Sequence, residues 1–151
     1  MDSRLKLRYN PHVGRVVIVA LVVALATAAS SSASPPKAVA FRMPSKNIGC
    51  MYEPPAFGQK AFLRCDIRSG LVPKPKGKCQ LDWTGLGMTR RGKAHPVCAG
   101  DTVYDPHAHI LKYGRTWKAG GFTCHSKRRG LRCSNGAGHG FFLSRKHWSV
   151  H

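Results

Sequence analysis

The stretch Phe122-Thr123-Cys124-His125-Ser126-Lys127-Arg128-Arg129-Gly130-Leu131-Arg132-Cys133-Ser134 decides the fold class. Phe122-Thr123-Cys124 and Leu131-Arg132-Cys133 read as antiparallel strands around Lys127-Arg128-Arg129-Gly130. Setting Cys124 opposite Cys133 gathers Phe122, Leu131 and both sulfurs on one face, and Thr123, His125, Arg132 and Ser134 on the other. Side chains alternate with period two along a strand, so a slip of one residue destroys this separation and the register is informative.

The same operation works upstream. Cys50 opposite Cys65 sets Ile48 against Ile67 and Tyr52 against Leu63 on the sulfur face, while Asn47, Gly49, Arg64, Asp66 and Arg68 point away. Both hairpins have an apolar residue two before the first cysteine and Leu-Arg before the second, a weak internal repeat that convergent hairpin chemistry also produces. The six cysteines allow fifteen connectivities by counting alone. The two hairpin registers leave Cys79 to pair with Cys98 across Asp82-Trp83-Thr84-Gly85. Loops of these lengths contribute roughly 3 kcal/mol per bridge in the chain-entropy model, a large share of what a small core supplies. These cysteines form no Cys-x2-Cys pair, so they read as structural bridges rather than metal ligands.

Elsewhere the strand signals are short, and the 16 glycines and 10 prolines of the whole chain punctuate it densely. Val103 to Lys112 is the one later stretch with room for a helical turn or two, and Pro106 limits it. Asn135-Gly136 and Gly138-His139-Gly140 make a reversal before a last strand, Phe141-Phe142-Leu143. The expected fold is mainly β: a small disulfide-stapled domain of short antiparallel strands, with sandwich and barrel both open.

At the N-terminus, Arg4, Lys6, Arg8 and Arg15 lead into the uncharged run Val16 to Ala29 and the small residues Ser30 to Ser34. This is the three-part pattern of a secretory signal peptide. Cleavage after Ala33 is preferred, with Ala28 and Ala40 as alternatives. An uncleaved segment would tie the protein to the membrane, although the run is shorter than a spanning helix requires. The expected organisation is therefore a signal peptide over 1–33, a flexible lead over 34–40 and one disulfide-stapled β domain over 41–151, secreted or associated with the cell envelope. An even number of cysteines in a small exported chain agrees with an oxidising compartment.

Charge is the strongest compositional signal, with 25 Lys+Arg against 6 Asp+Glu and a formal net charge of +19 on 151 residues. Signal removal takes four basic residues and Asp2, leaving the remainder at +16. Three clusters stand out as polyanion-binding candidates. Lys74, Lys76 and Lys78 alternate with Pro73, Pro75 and Gly77; Arg90, Arg91 and Lys93 form a second group; Lys127, Arg128 and Arg129 cap the hairpin of Cys124 and Cys133. Such loops attract anionic envelope polymers or nucleic acid through electrostatics that weaken with salt.

The order of motifs Pro44-Ser45-Lys46-Asn47-Ile48-Gly49-Cys50, Leu63-Arg64-Cys65-Asp66-Ile67, Gly100-Asp101-Thr102, Leu111-Lys112-Tyr113-Gly114 and Gly138-His139-Gly140-Phe141 through Leu143-Ser144-Arg145 resembles a family of small exported actinobacterial proteins catalogued as a domain of unknown function. The resemblance spans about Phe41 to Arg145 and implies a secreted or envelope location, with no activity, cofactor or catalytic residue attached. The chain departs from the family around Asp82-Trp83-Thr84-Gly85, where glycine usually follows the tryptophan directly.

No catalytic residue or cofactor is assigned. His107 and His109 share a side if extended, but lack a third ligand at defined spacing for a metal. His139 reads as part of a turn whose glycines supply positive φ. Asp101 reads as a turn residue accepting backbone hydrogen bonds, and its spacing to Asp105 is a poor match to a glycosidase pair. His95, His125 and His139 with Lys127 supply the residue types of a small secreted ribonuclease without its spacing. The leading functional expectation is a noncatalytic module that associates with anionic envelope polymers. An extracellular nucleic-acid binder or RNase-like hydrolase is the alternative.

Overall fold

The computed structural model describes residues 37–151. The signal segment read over 1–33, and residues 34–36 of the lead, lie outside these residues. Eleven strands follow in order: β1 (Val39–Arg42), β2 (Ile48–Glu53), β3 (Phe62–Ile67), β4 (Asp82–Thr89), β5 (His95–Ala99), β6 (His109–Ile110), β7 (Thr116–Ala119), β8 (Phe122–Lys127), β9 (Gly130–Asn135), β10 (Gly140–Leu143) and β11 (Trp148–Val150). β1 takes in Val39 and Ala40, which the sequence reading places in the lead. No helix occurs among the described residues.

The strands form two sheets, ordered β5-β4-β3-β2-β1-β6 and β11-β10-β9-β8-β7. Neither closes on itself, and their inward residues share one core, so the arrangement is a sandwich. Phe41 and Trp117 meet at 4.8 Å between ring centroids, and Tyr52 and Phe122 at 6.0 Å, joining the first sheet to the second. Each fully buried large apolar side chain contributes about 1.5–3 kcal/mol relative to exposure.

The hairpin registers are those read from the alternation. Cys50 faces Cys65 with Ile48 opposite Ile67 and Tyr52 opposite Leu63, and Cys124 faces Cys133. The disulfides are Cys50–Cys65, Cys79–Cys98 and Cys124–Cys133. The resemblance between the two hairpins extends to the whole fold. β1–β5 and β7–β11 are each a five-stranded antiparallel meander in the same spatial order. One cross-strand row runs Phe41, Cys50, Cys65, Leu86, Pro96 in the first sheet. Its counterpart runs Trp117, Cys124, Cys133, Phe141, Val150 in the second. Each sheet is bridged between its second and third strands, with Cα separations of 4.0 and 4.1 Å. Gly85 and Gly140 are equivalent as well: a Cβ on either would run into the carbonyl oxygen of the neighbouring cysteine, Cys65 or Cys133.

The sheets differ on their outer faces. Val103–Lys112 forms no helical turn, because Pro106 interrupts it and tertiary contacts hold it extended or bent. The segment Gly100–Ile110 crosses the outer face of the first sheet and ends as β6, which pairs in parallel with β1. Gly49 leaves the space that Tyr104 fills, since a Cβ there would stand 2.7 Å from Tyr104 Cδ2. Arg64 and Asp66, which point away from the disulfide, are therefore buried rather than solvated. The departure at Asp82-Trp83-Thr84-Gly85 is a β-bulge in which the register jumps between Trp83 and Gly85, leaving Thr84 as the extra residue.

Candidate polyanion groove

On the outer face of the second sheet, Thr116, His125, Arg132, Phe142 and Ser149 form one cross-strand row. Two turns rise beside it. The β8–β9 turn carries Lys127, Arg128 and Arg129 and closes on Gly130. Gly130 adopts φ 151°. A Cβ there would stand 2.6 Å from both the Leu143 carbonyl oxygen and the Phe142 ring, so glycine lets the turn lie close to β10. In the β10–β11 turn, Ser144 Oγ donates to the His147 carbonyl at 2.8 Å and accepts the His147 N–H at 3.1 Å. That tight reversal leaves Arg145 and Lys146 exposed at its tip.

Between these turns lies a groove of about 700 Å³ whose lining includes Arg128, Arg129, Arg132, Arg145 and Lys146, with no carboxylate among its lining residues. Its aromatic surface is Phe142, with the Arg132 guanidinium carbon 5.9 Å from the ring centroid and the His147 ring centroid at 5.0 Å. Arg128 lies over the Tyr113 ring at 5.4 Å. A smaller depression of about 200 Å³, sharing Arg129, Arg132 and Phe142, adds His125 and Lys127. His125 Nδ1 is in hydrogen-bond contact with Thr116 Oγ1 at 2.8 Å. Like charges in a low-dielectric concavity reinforce one another's field, so the groove attracts and concentrates anions.

Of the three basic clusters, only the one over Lys127, Arg128 and Arg129 reaches this groove, with Arg128 and Arg129 in its lining and Lys127 in the adjoining depression. Arg90, Arg91 and Lys93 sit in the β4–β5 turn, which Asn135 holds by donating from Nδ2 to the Thr89 and Gly92 carbonyls at 3.0 and 2.8 Å. Asn135 ends β9 and Gly130 begins it, so this cluster lies roughly 17 Å along the strand from the other turn. Lys74, Lys76 and Lys78 are exposed in the segment before β4. Its start is fastened to β11 by the Trp148 indole N–H, which donates to the Pro73 carbonyl at 2.7 Å. Lys74 lines a separate depression of about 410 Å³ that also holds Asp66, Asp82 and Trp83, so its charge is partly matched there. Arg132, Arg145, Lys146 and Phe142 are the residues that sequence reasoning missed. The available signal was the outward parity of Arg132 beside Cys133.

The remaining candidates are dispersed. His95 packs near Phe62 on the edge strand β5, with ring centroids 6.1 Å apart. His139 belongs to the β9–β10 turn, where its N–H donates to Asn135 Oδ1 at 3.1 Å. His107 and His109 are exposed, and no group of three His, Cys, Asp or Glu able to hold a metal occurs among the described residues.

Asp101 is a correction to the turn-residue reading, because its carboxylate engages a side chain from β3. Arg64 Nη1 donates to Asp101 Oδ1 at 2.9 Å and Nη2 to the Asp101 carbonyl at 2.7 Å. Arg64 also donates from Nε and Nη2 to the two oxygens of Asp66, at 2.9 and 3.0 Å. Burial pushes the Arg64 guanidinium down, but the hydrogen bonds and charges of Asp66 and Asp101 outweigh it and hold its pKa above the ordinary arginine value. The Arg64 hydrogen bond, then its positive charge, hold the Asp101 carboxyl below the usual carboxylate range. Both carboxylates are paired with this one arginine, Asp66 in the buried face of the sheet and Asp101 at its exposed margin.

The sequence model of a family of unknown function (DUF6636) matches residues 17–150, and the chain belongs to that family. No curated protein matches the chain, and no solved structure does.

Proposed function

We propose that this member of a family of unknown function is an exported, noncatalytic module that holds an anionic polymer of the cell envelope in the groove over its second sheet. The observation that carries this reading is the convergence of Arg129, Arg132, Arg145 and Lys146 on one concavity without a lining carboxylate. Export is supported by the secretory pattern at the N-terminus and by the three disulfides, which are compatible with an extracellular protein. Lys74, Lys76, Lys78, Arg90, Arg91 and Lys93 act in this reading as peripheral charges that raise the encounter rate.

A second reading, an extracellular nucleic-acid binder or RNase-like hydrolase, draws on one observation: His125, Lys127 and Arg132 line the same small depression. Salt-dependent retention of the purified, oxidised protein on isolated envelope and on RNA separates the two, with product analysis of the RNA. Envelope retention that falls with salt and in the Arg129→Ala/Arg145→Ala protein, with RNA left intact, is the expected result. RNA cleavage that disappears in the His125→Ala or His139→Ala protein would replace this reading with a nuclease.

A further inference from the structure

The fold contains its own example of how an arginine at the Arg132 position is satisfied. Equivalent strand order and disulfide register place Arg132 on Arg64, Ser134 on Asp66 and Gly140 on Gly85. In the first sheet, the carboxylate two residues along the strand supplies both its oxygens to the guanidinium, and the crossing segment adds the Asp101 carboxylate and carbonyl. In the second sheet the position two along is a serine, and the Arg132 side chain is exposed. Arg132 makes no side-chain hydrogen bond or ion pair among the described residues, and its contact there is the Phe142 ring. One copy of the repeat thus carries a filled anion site and the other the same site open.

We infer that Arg132 is the specificity-determining residue of the groove, and that it takes from a phosphodiester polymer the paired oxygens that Asp66 gives Arg64. This inference rests on the groove reading above and names its ligand class. An arginine fork binds two oxygens side by side, which a lysine cannot reproduce. The other cations rise from two turns beside the sheet, Arg128 and Arg129 between β8 and β9 and Arg145 and Lys146 between β10 and β11. Terminal phosphate oxygens accept hydrogen bonds from directions spread around the phosphorus, whereas a carboxylate accepts mainly in its own plane. A phosphodiester on Arg132 therefore also presents acceptors toward Arg129 and Arg145, and the repeating charge of the polymer engages Arg128 and Lys146 along the groove.

The test measures binding of poly(glycerol phosphate), and of poly-L-glutamate at equal charge, to the oxidised protein by titration calorimetry. Arg132→Lys keeps the charge and removes the fork. Ser134→Asp installs the carboxylate that fills the equivalent site in the first sheet, and Ser134→Asn is its neutral control. Both Arg132→Lys and Ser134→Asp are expected to weaken poly(glycerol phosphate) binding by about tenfold, with Ser134→Asn changing it by less than about threefold. Poly-L-glutamate is expected to bind at least about tenfold more weakly than poly(glycerol phosphate). If Ser134→Asp does not fold, Arg132→Lys decides alone. Unchanged binding in Arg132→Lys, with a loss in Arg129→Ala/Arg145→Ala, overturns the role of Arg132 and leaves the groove standing. Equal binding of the two polymers overturns the phosphodiester assignment. Failure of the unmodified protein to bind either polymer overturns both the groove and this inference.

Discussion

Gly49 and Tyr104 are fitted to each other: the Cβ that glycine lacks would lie 2.7 Å from Tyr104 Cδ2 and 3.1 Å from its Cα. The segment crossing the first sheet comes this close because β2 is bare at that point. Gly49→Val is expected to lose about 1–3 kcal/mol through forced displacement of Tyr104 and its backbone. Urea unfolding measures this, and an unchanged midpoint would mean that the segment shifts at no cost.

Asp66 is the buried partner of Arg64, and its Oδ2 also accepts the Val103 N–H at 2.9 Å. Asp66→Asn leaves the buried guanidinium with the exposed Asp101 as its one anionic partner and is expected to cost about 3 kcal/mol. Asp101→Asn, at an exposed carboxylate, is expected to cost less than Asp66→Asn. A stability loss for Asp101→Asn equal to that for Asp66→Asn would contradict the burial argument.

The Asp101 carboxyl is held below its ordinary range in the folded protein by Arg64, so protonation is easier in the unfolded chain. Its contribution is fully present above the unfolded value of about 4 and is lost as pH falls through the lowered folded pKa. Asp101→Asn should therefore flatten the acid limb of the stability profile and leave the slope above pH 6 unchanged. Denaturant midpoints across pH 2–7 read this directly.

Asn135 ties the two meanders together. It donates to the carbonyls of Thr89 and Gly92 and accepts the N–H groups of Ala137 and His139 at 3.0 and 3.1 Å. Asn135→Ala is expected to cost about 2–4 kcal/mol, because buried backbone groups lose their partner. Asn135→Asp should cost more, since a carboxylate turned toward two carbonyls repels both. Thermal unfolding of the pair fixes the order.

The three disulfides differ in access. Cys50, Cys65, Cys124 and Cys133 are fully buried, whereas Cys98 is exposed and Cys79 half-buried. Limited dithiothreitol treatment of the native protein, followed by alkylation and mass mapping, should label Cys79 and Cys98 first. First labelling at Cys124 or Cys133 would show that the second sheet opens more readily than its packing implies.

Period-two alternation made the hairpin registers readable in the sequence, because Ile48, Cys50 and Tyr52 can share only one face. It also placed Arg64 and Asp66 on the opposite face, but carried no information about what covers that face. The cover arrives from Asp101, 37 residues beyond Arg64, through contacts that no local pattern encodes. The groove escaped notice for a related reason. Runs such as Lys74, Lys76 and Lys78 are conspicuous in a sequence, whereas Arg129, Arg132 and Arg145 become neighbours only once β9 pairs with β10. The equivalence of the two meanders was visible as Leu-Arg-Cys at 63–65 and 131–133, but linker and turn lengths differ so much that the other strands do not align by eye.

The parallel pairing of β6 with β1 has a consequence for how molecules of this protein meet one another. A bare edge strand offers a row of unpaired amides on which a neighbouring chain can add a strand of its own. At β1 that row is occupied by the two-residue β6, too short to serve as a template. The opposite edge, β5, contains Pro96, which has no amide hydrogen to donate. Both margins of the first sheet are thus poor templates for strand addition, a form of protection against self-association.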